Sequence, residues 1–226
     1  MSIKTASVIL AAGEGTRMCS SIPKVLHTLA GRPLLEYALD LGLHICNMTP
    51  IVVVGFESEK VQEFIGDRAK VVLQKQQLGT GHALYQTADV LRGQVDMVLV
   101  WAADMPLLSK DILETVVNCQ SENEGPVSIV TAISDNDRGF GRVVRSERGE
   151  VQAVVEQSDA TSEQLAINEL NVGVYCFESL WLWDELSTLK PSANGEYYLT
   201  DLIESAALQS QKIGVVTSTA EDEIIG

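Results

Sequence analysis

The sequence predicts an α/β protein: a mostly parallel mixed sheet flanked by helices, with a small β-rich lobe late in the chain. Three observations carry that prediction. Strand-like and helix-like segments alternate four times in the first half of the chain. The strand-like segments are continuous apolar runs without polar alternation, the pattern of strands whose two faces are both covered by helices. After residue 125 strand segments follow one another across a tight turn instead.

Taken in order, residues 7–12 (SVILAA) read as a fully buried strand. Residues 33–46 have helical spacing, with Leu34, Leu35, Ala38, Leu41 and Ile45 on one side and Pro33 suited to a first helical position. PIVVVG (50–55) is a second strand ended by glycine, and SEKVQEFIG a short helix with a serine cap and a glycine stop. AKVVLQ (69–74) is a third strand, Thr80 to Leu91 is helical, and DMVLVWAAD (96–104) is a fourth strand. Residues 109–120 form a helix capped by Ser109. PVSIVTAI and GRVVRSERGEVQAVVE read as strands, the latter folded over a turn at Glu147, Arg148 and Gly149. NVGVYCF (171–177) is a strand, SLWLWDELSTL and EYYLTDLIESAAL are helices, and IGVVTS (213–218) is a last strand. No internal repeat, low-complexity segment or coiled coil stands out.

The 226 residues, 46% hydrophobic and 21% charged, suit one domain with a sizeable core. Acidic side chains outnumber basic ones 31 to 16, a formal charge of −15. Nucleic acid and anionic membranes need a net basic surface, so neither is expected as a partner. No apolar run reaches the roughly 18 residues of a membrane span, and the N-terminal apolar stretch is too short for a secretory signal, so a cytoplasmic location is expected. Cys19, Cys46, Cys119 and Cys176 are 27 or more residues apart, without metal-site or disulfide spacing. Three of them read as buried free thiols.

With cations scarce, Arg17 and Lys24 draw notice. They follow the first strand in LAAGEGTRMCSSIPKVLHTLAGRPLL (10–35), a stretch that also holds Gly13 and Gly15. Glycine lets backbone N–H groups approach an anion, and the two cations could neutralise phosphate charge. GEGTRMCS is not a P-loop, and the third glycine of the dinucleotide fingerprint is missing. A plain strand–turn with surface cations remains the alternative on local physics. In open α/β sheets ligands bind beyond the carboxyl ends of the strands. The glycine loop, the QLGTGH segment and Asp104 all follow such ends, so they are expected to share one crevice.

LAAGEGTRM with PKVLHTLAGRPLL resembles the signature of the sugar-nucleotide pyrophosphorylases, most of all the uridylyltransferase domain of the bacterial N-acetylglucosamine-1-phosphate uridylyltransferases. The likeness runs along the whole chain, through QKQQLGTGHA (74–83), AADMPLL (102–108), GFGRVVR (139–145), VEQSDAT (155–161), ELNVGVY (169–175) and GEYYLTD (195–201). It implies a Rossmann-like nucleotidyltransferase fold, a single domain over residues 1–226 with a nucleotide half to about residue 125 and a sugar half after it. It implies UTP and an amino-sugar 1-phosphate as substrates and Mg²⁺ as cofactor.

The resemblance also assigns residues. Leu10, Ala11, Ala12, Gly13 and Gly15 offer backbone to the nucleotide, while Arg17 and Lys24 grip its triphosphate. Gln74 reads the uracil edge with Gly79 and Thr80 beside it, and Ala102 and Ala103 adjoin the nucleotide. Thr80 also suits the cap of a helix start. Asp104 matches the family's metal-binding aspartate, although an Asp before Pro106 also suits a turn. Gly141, Glu156 and Asn171 match residues that hold the amino sugar, and Glu196, Tyr198 and Thr200 match its surroundings. His27 and His82 read as structural rather than as bases, and the reaction needs no protein nucleophile. Ala103 replaces a family glycine, which would send a methyl toward the nucleotide sugar, and Val172 replaces a family threonine, which removes a hydroxyl. In the family a stretch like AEDEIIG leads into an asparagine that is the second metal ligand, and the bifunctional members carry a hexapeptide-repeat β-helix. Neither stands in this sequence, so a monomer is expected for this chain, a trimer for one carrying the β-helix, and faster turnover for a version extended through that asparagine. Other classes consistent with the sequence are a nucleotidyltransferase for another base or sugar, and a nucleotide-sugar-binding module without catalysis.

Overall fold

The structure is a computed structural model that describes residues 3–15, 18, 20–135 and 139–218. In chain order the elements are β1 (Thr5–Ala11), β2 (Thr28–Leu29), β3 (Arg32–Pro33), α1 (Leu34–Ile45), β4 (Ile51–Val54), α2 (Ser58–Ile65), β5 (Lys70–Leu73), α3 (Thr80–Tyr85), α4 (Ala88–Leu91), β6 (Met97–Ala102), α5 (Lys110–Glu122) and β7 (Val127–Ile133). They continue with β8 (Arg142–Arg145), β9 (Val151–Val155), α6 (Ser162–Leu165), β10 (Glu169–Glu178), α7 (Ser179–Leu186), α8 (Asp201–Leu208) and β11 (Ile213–Ser218). One sheet has the order β11-β7-β10-β6-β1-β4-β5, with the β8–β9 hairpin branching from β10. β10 is antiparallel to both its neighbours in this path, and the other pairings of the path are parallel. The expected parallel sheet is therefore interrupted by one reversed strand, and the β-rich lobe hangs from that strand.

Apolar side chains alternate between the two faces. Ile9 and Ala11 of β1, Val52 and Val54 of β4, and Leu99 and Trp101 of β6 pack on the side of α1, α2 and α5. Ala6, Val8, Ile51, Val53, Val98 and Val100 pack on the other side, against α3, α7 and α8. Each fully buried aliphatic side chain stabilises by about 1.5–3 kcal/mol, so this double core is what makes the strand ends a rigid platform.

Several expectations need correction. In α1 the buried stripe is Leu35, Ala38, Leu39 and Gly42, and Pro33 stands one residue before the helix. α2 has no serine cap: the chain enters it through Glu57 at φ 50, which places Ser58 inside the first turn. Residues 80–91 form two short helices rather than one, because Thr87 Oγ1 donates to Leu84 O at 2.8 Å and turns the chain there. The helix expected over EYYLTDLIESAAL starts only at Asp201. The backbone before it is bonded to a distant loop instead, as described below. Of the described cysteines, Cys176 is buried, while Cys46 and Cys119 are half-buried. Burial pushes the Cys46 thiol up to about 11, which keeps it protonated and unreactive at neutral pH.

Candidate active site

The shared direction of β1, β4, β5 and β6 brings their carboxyl ends to one edge of the sheet. At that edge Leu10 pairs with Ala102, and Leu10 O accepts the Ala103 amide at 2.9 Å. Ala11 and Ala12 are nearly buried at 4% exposure each, and Ala12 O accepts the Phe56 amide. Beyond them the chain opens. A Cβ added at Gly13 would meet nothing within 4 Å, so its backbone faces free space. Gly15 is different: its φ is +63°, and a Cβ there would lie 2.6 Å from the Lys24 Cβ. Only glycine allows both that dihedral and that approach. Arg17 and Cys19 lie outside the described residues.

Lys24 begins a short 3-10 turn, Lys24–Leu26, anchored by the buried Val25. Its Nζ donates to Asp104 Oδ2 at 2.5 Å, joining residues 80 apart in the chain. Asp104 follows β6 directly, so the ends of β1 and β6 present a cation and a carboxylate together. A half-exposed pair of this kind stabilises the fold little, which suits groups that change partners when a ligand arrives. Ala103 is 1% exposed and packs in the core beneath α1 and α5, and Val172 is 2% exposed in the same core. Both side chains are packed in the core, so the methyl expected to point toward the nucleotide sugar is buried at Ala103. A single carboxylate together with phosphate oxygens is an ordinary donor set for Mg²⁺, and Asp104 fits it. Among the described residues no three His, Cys, Asp or Glu side chains group to hold a metal by themselves.

At the end of β5, Gln74 is 2% exposed. Its Nε2 lies 3.0 Å from Gly79 O, to which it donates, and 2.9 Å from His82 Nδ1. The Gly79 carbonyl can only accept, so it fixes which way the amide points. The carbonyl takes one Nε2 hydrogen, and the carboxamide oxygen lies on the other side of the amide. His82 lies between two amides, with Nδ1 2.9 Å from Gln74 Nε2 and Nε2 3.2 Å from Gln86 Nε2.

Gly79 has φ +97°, and a Cβ there would strike Tyr197 O at 2.6 Å. The contact belongs to a strap between two distant segments. Tyr197 N donates to Leu78 O, and Gly81 N donates to Tyr197 O, each at 2.8 Å. Thr80 Oγ1 accepts the Leu199 amide at 3.0 Å. Thr80 therefore does not cap α3; Gly79 precedes that helix, and the threonine hydroxyl serves the strap.

The register of β10 on β6 matches Tyr175 to Val100. Because the strands are antiparallel, the start of β10 lies beside the end of β6, which puts Asn171 near the edge that carries Asp104. Asn171 is 5% exposed, and its backbone N–H donates to Gly141 O at 2.9 Å. A Cβ at Gly141 would come 3.1 Å from Val154 and 3.7 Å from Glu156 Oε2. Glu156 Oε1 accepts from Thr200 Oγ1 at 2.9 Å. Burial raises the Glu156 carboxyl above its usual range; the Thr200 bond opposes this, and the charges of Asp159 and Glu196 add to it. Tyr198 is half-buried and accepts from Asn194 Nδ2 at 2.5 Å, while Glu196 is exposed. Gly141, Glu156, Asn171 and Thr200 thus form one cluster. Tyr198 and Glu196 stand at its margin.

A cleft of about 510 Å³ between β9 and α8 shares Glu156 and Tyr198 with this cluster, and Asp159, Asp201 and Glu204 also line it. Among the described residues no lysine or arginine lines it. Burial, then the charges of Glu204, Glu156 and Asp159, push the Asp201 carboxyl up to about 6.

Three features were missed in the sequence. One is the strap at Tyr197. Another is the bidentate pair in which Arg145 Nε and Nη2 each reach Glu169 at 2.6 Å and tie β8 to β10. The third is Tyr175, whose Oη lies 2.6 Å from Asn171 Nδ2. None of the three left a local signal: Asn171 and Tyr175 meet because the strand is irregular between them.

Among the described residues no helix is long and apolar enough to cross a membrane. The MobA-like NTP transferase domain family matches residues 7–212. Among curated proteins, the bifunctional protein GlmU of Exiguobacterium sp. strain AT1b is 42% identical over 97% of this chain and 49% of its own length. GlmU of Heliobacterium modesticaldum is 41% identical over 97% of the chain and 48% of its own length, and that of Latilactobacillus sakei 40% identical over 88% and 43%. The chain spans about half the length of the curated relatives it matches. A crystal structure of a Bacillus anthracis protein assigned as a glucose-1-phosphate thymidylyltransferase has a TM-score of 0.76 at 22% identity, covering 95% of this chain and 87% of that one.

Proposed function

This chain belongs to the MobA-like NTP transferase family, and we propose that it transfers a uridylyl group from UTP to N-acetylglucosamine 1-phosphate, giving UDP-N-acetylglucosamine and pyrophosphate. The observation that carries this reading is the meeting of Lys24 and Asp104 at the edge of the sheet where the Glu156 and Asn171 cluster also stands. Phosphates and sugar are thereby offered adjoining places. The relatives at about 40% identity support the choice of substrates.

In this mechanism an oxygen of the sugar phosphate attacks the α-phosphorus of UTP in line. One P–O bond forms, the bond from the α-phosphorus to the bridging oxygen breaks, and pyrophosphate leaves with that electron pair. The attacking oxygen is already anionic, so no general base is required. Lys24 neutralises phosphate charge that grows in the transition state. The backbone from Leu10 to Gly15 lies along the nucleotide, beside Ala102 and Ala103. Gln74 offers its oxygen to the N3–H of uracil, a hydrogen that cytosine lacks, with Gly79 and Thr80 alongside. Asp104 would hold Mg²⁺, which when bound supplies positive charge to the phosphate oxygens. Gly141, Glu156 and Asn171 hold the amino sugar, with Glu196, Tyr198 and Thr200 around it. The two halves of the site divide the chain near residue 125 within one domain, acting in the cytoplasm.

The test is pyrophosphate release from UTP, CTP, GTP and ATP, each with N-acetylglucosamine 1-phosphate or glucose 1-phosphate and Mg²⁺. Release confined to UTP with the acetamido sugar is expected. Preference for another pair, or release with none, overturns the reading.

A further inference from the structure

Asn171 is held at both ends of its amide. Nδ2 donates to Tyr175 Oη at 2.6 Å, and Oδ1 accepts from Gly173 N at 3.3 Å. The two holds have opposite polarity. If the amide were flipped, Nδ2 would face the Gly173 N–H, two donors against each other. The local backbone is built for this arrangement: the β10–β7 register shifts between Asn171 and Tyr175, and Gly173 sits at φ +83°. That conformation turns the Gly173 N–H back toward the side chain two residues before it.

Tyr175 is itself rigid. It is 4% exposed, and its ring stacks on Phe177 with centroids 5.7 Å apart. Burial, and then the nearby Glu156 charge, raise the phenol above its ordinary range, so it stays neutral and able to accept a hydrogen bond. It touches Asn171 and feels Glu156, the two polar groups given to the amino sugar above.

We propose that Tyr175 is a positioning residue for sugar recognition: it fixes the Asn171 amide in the one orientation that fits the substrate's acetamido group. This rests on the function proposed above. An acetamido group has one N–H and one C=O, so an amide of fixed orientation distinguishes it from a hydroxyl. A freely flipping amide does so less well.

The experiment compares wild type, Y175F, N171A and the double variant. Y175F keeps the ring and its stacking and removes only Oη. Its KM for N-acetylglucosamine 1-phosphate is expected to rise about five- to tenfold, the loss of one neutral hydrogen bond. KM for UTP should stay within about twofold, and the preference over glucose 1-phosphate should shrink. The double variant should be no worse than N171A, because Tyr175 acts through Asn171. In ¹⁵N spectra the Asn171 side-chain pair, identified by its loss in N171A, should move to a solvent-like position in Y175F. Unchanged sugar KM in Y175F, an equal rise in both KM values, or additive losses in the double variant would each overturn the proposal while leaving the function standing. Wild type that makes no UDP-N-acetylglucosamine would overturn the function itself, and this proposal with it.

Discussion

The two halves of the candidate site are built from different materials. Where β1 and β6 end, the chain offers a cation, a carboxylate and a glycine turn that no side chain could replace. Where β10 begins, it offers a buried amide, a half-buried carboxyl and a threonine hydroxyl, each already engaged with a protein partner. The first half works through charge and can exchange partners. The second works through the direction of hydrogen bonds that are set before any ligand arrives. A phosphate is identified by its charge, and a sugar only by where its donors and acceptors lie.

The largest expected effect tests the charged half. K24A should lower kcat/KM for UTP by about 10²–10³, the loss typical of removing one group that stabilises transition-state charge. Steady-state pyrophosphate release checks it. A rise in KM with kcat unchanged would instead make Lys24 a ground-state contact and weaken the contrast.

A second test joins the halves. G79A places a methyl 2.6 Å from Tyr197 O at a left-handed backbone position. The strain should cost about 1–3 kcal/mol, roughly 2–12 °C in Tm for a chain of this size. Because the strap serves both halves, KM should rise for both substrates. A rise for UTP alone would show that the strap does not connect them.

The smallest effect sharpens the account of the acidic cleft. Asp201 titrates near 6 in the folded protein, above its ordinary 3.8, and is faced by Glu204, Glu156 and Asp159. Between these two values the folded state holds more protons than the unfolded state, so stability falls as pH rises from about 4 to 6. In D201N this part of the decline should vanish. Urea midpoints at pH 4 and 7 measure it, and identical pH dependence in both proteins would remove Asp201 as the source.

Legibility in the sequence follows the same division. The strands were readable because double-sided burial writes itself as continuous apolar runs such as IVVV and MVLVWA. The glycine loop and Lys24 were readable because glycines and cations beside a strand carry a local chemical meaning. Ser58 and the EYYLT stretch were misread because local cap and helix signals compete with partners elsewhere. Tyr197 gives its N–H to Leu78 and its carbonyl to Gly81, leaving no backbone there for a helix. Ala103 was read as sending a methyl toward a ligand because family comparison marks a difference without marking which side of the strand it faces. Tyr175 was missed because a tyrosine in an apolar run looks like core, and its hydroxyl finds its use only when the bulge at Gly173 brings Asn171 to it.

The strap also has a consequence for biosynthesis. Thr80 and the Leu199 amide it accepts are 119 residues apart. A ribosome adding about 5–20 residues per second takes roughly 6–24 s to make that interval. Throughout it the Leu78–Gly81 loop has been made but its brace has not. The Leu78–Gly81 loop therefore gains its brace late in translation, after all the sheet strands except β11 have been made.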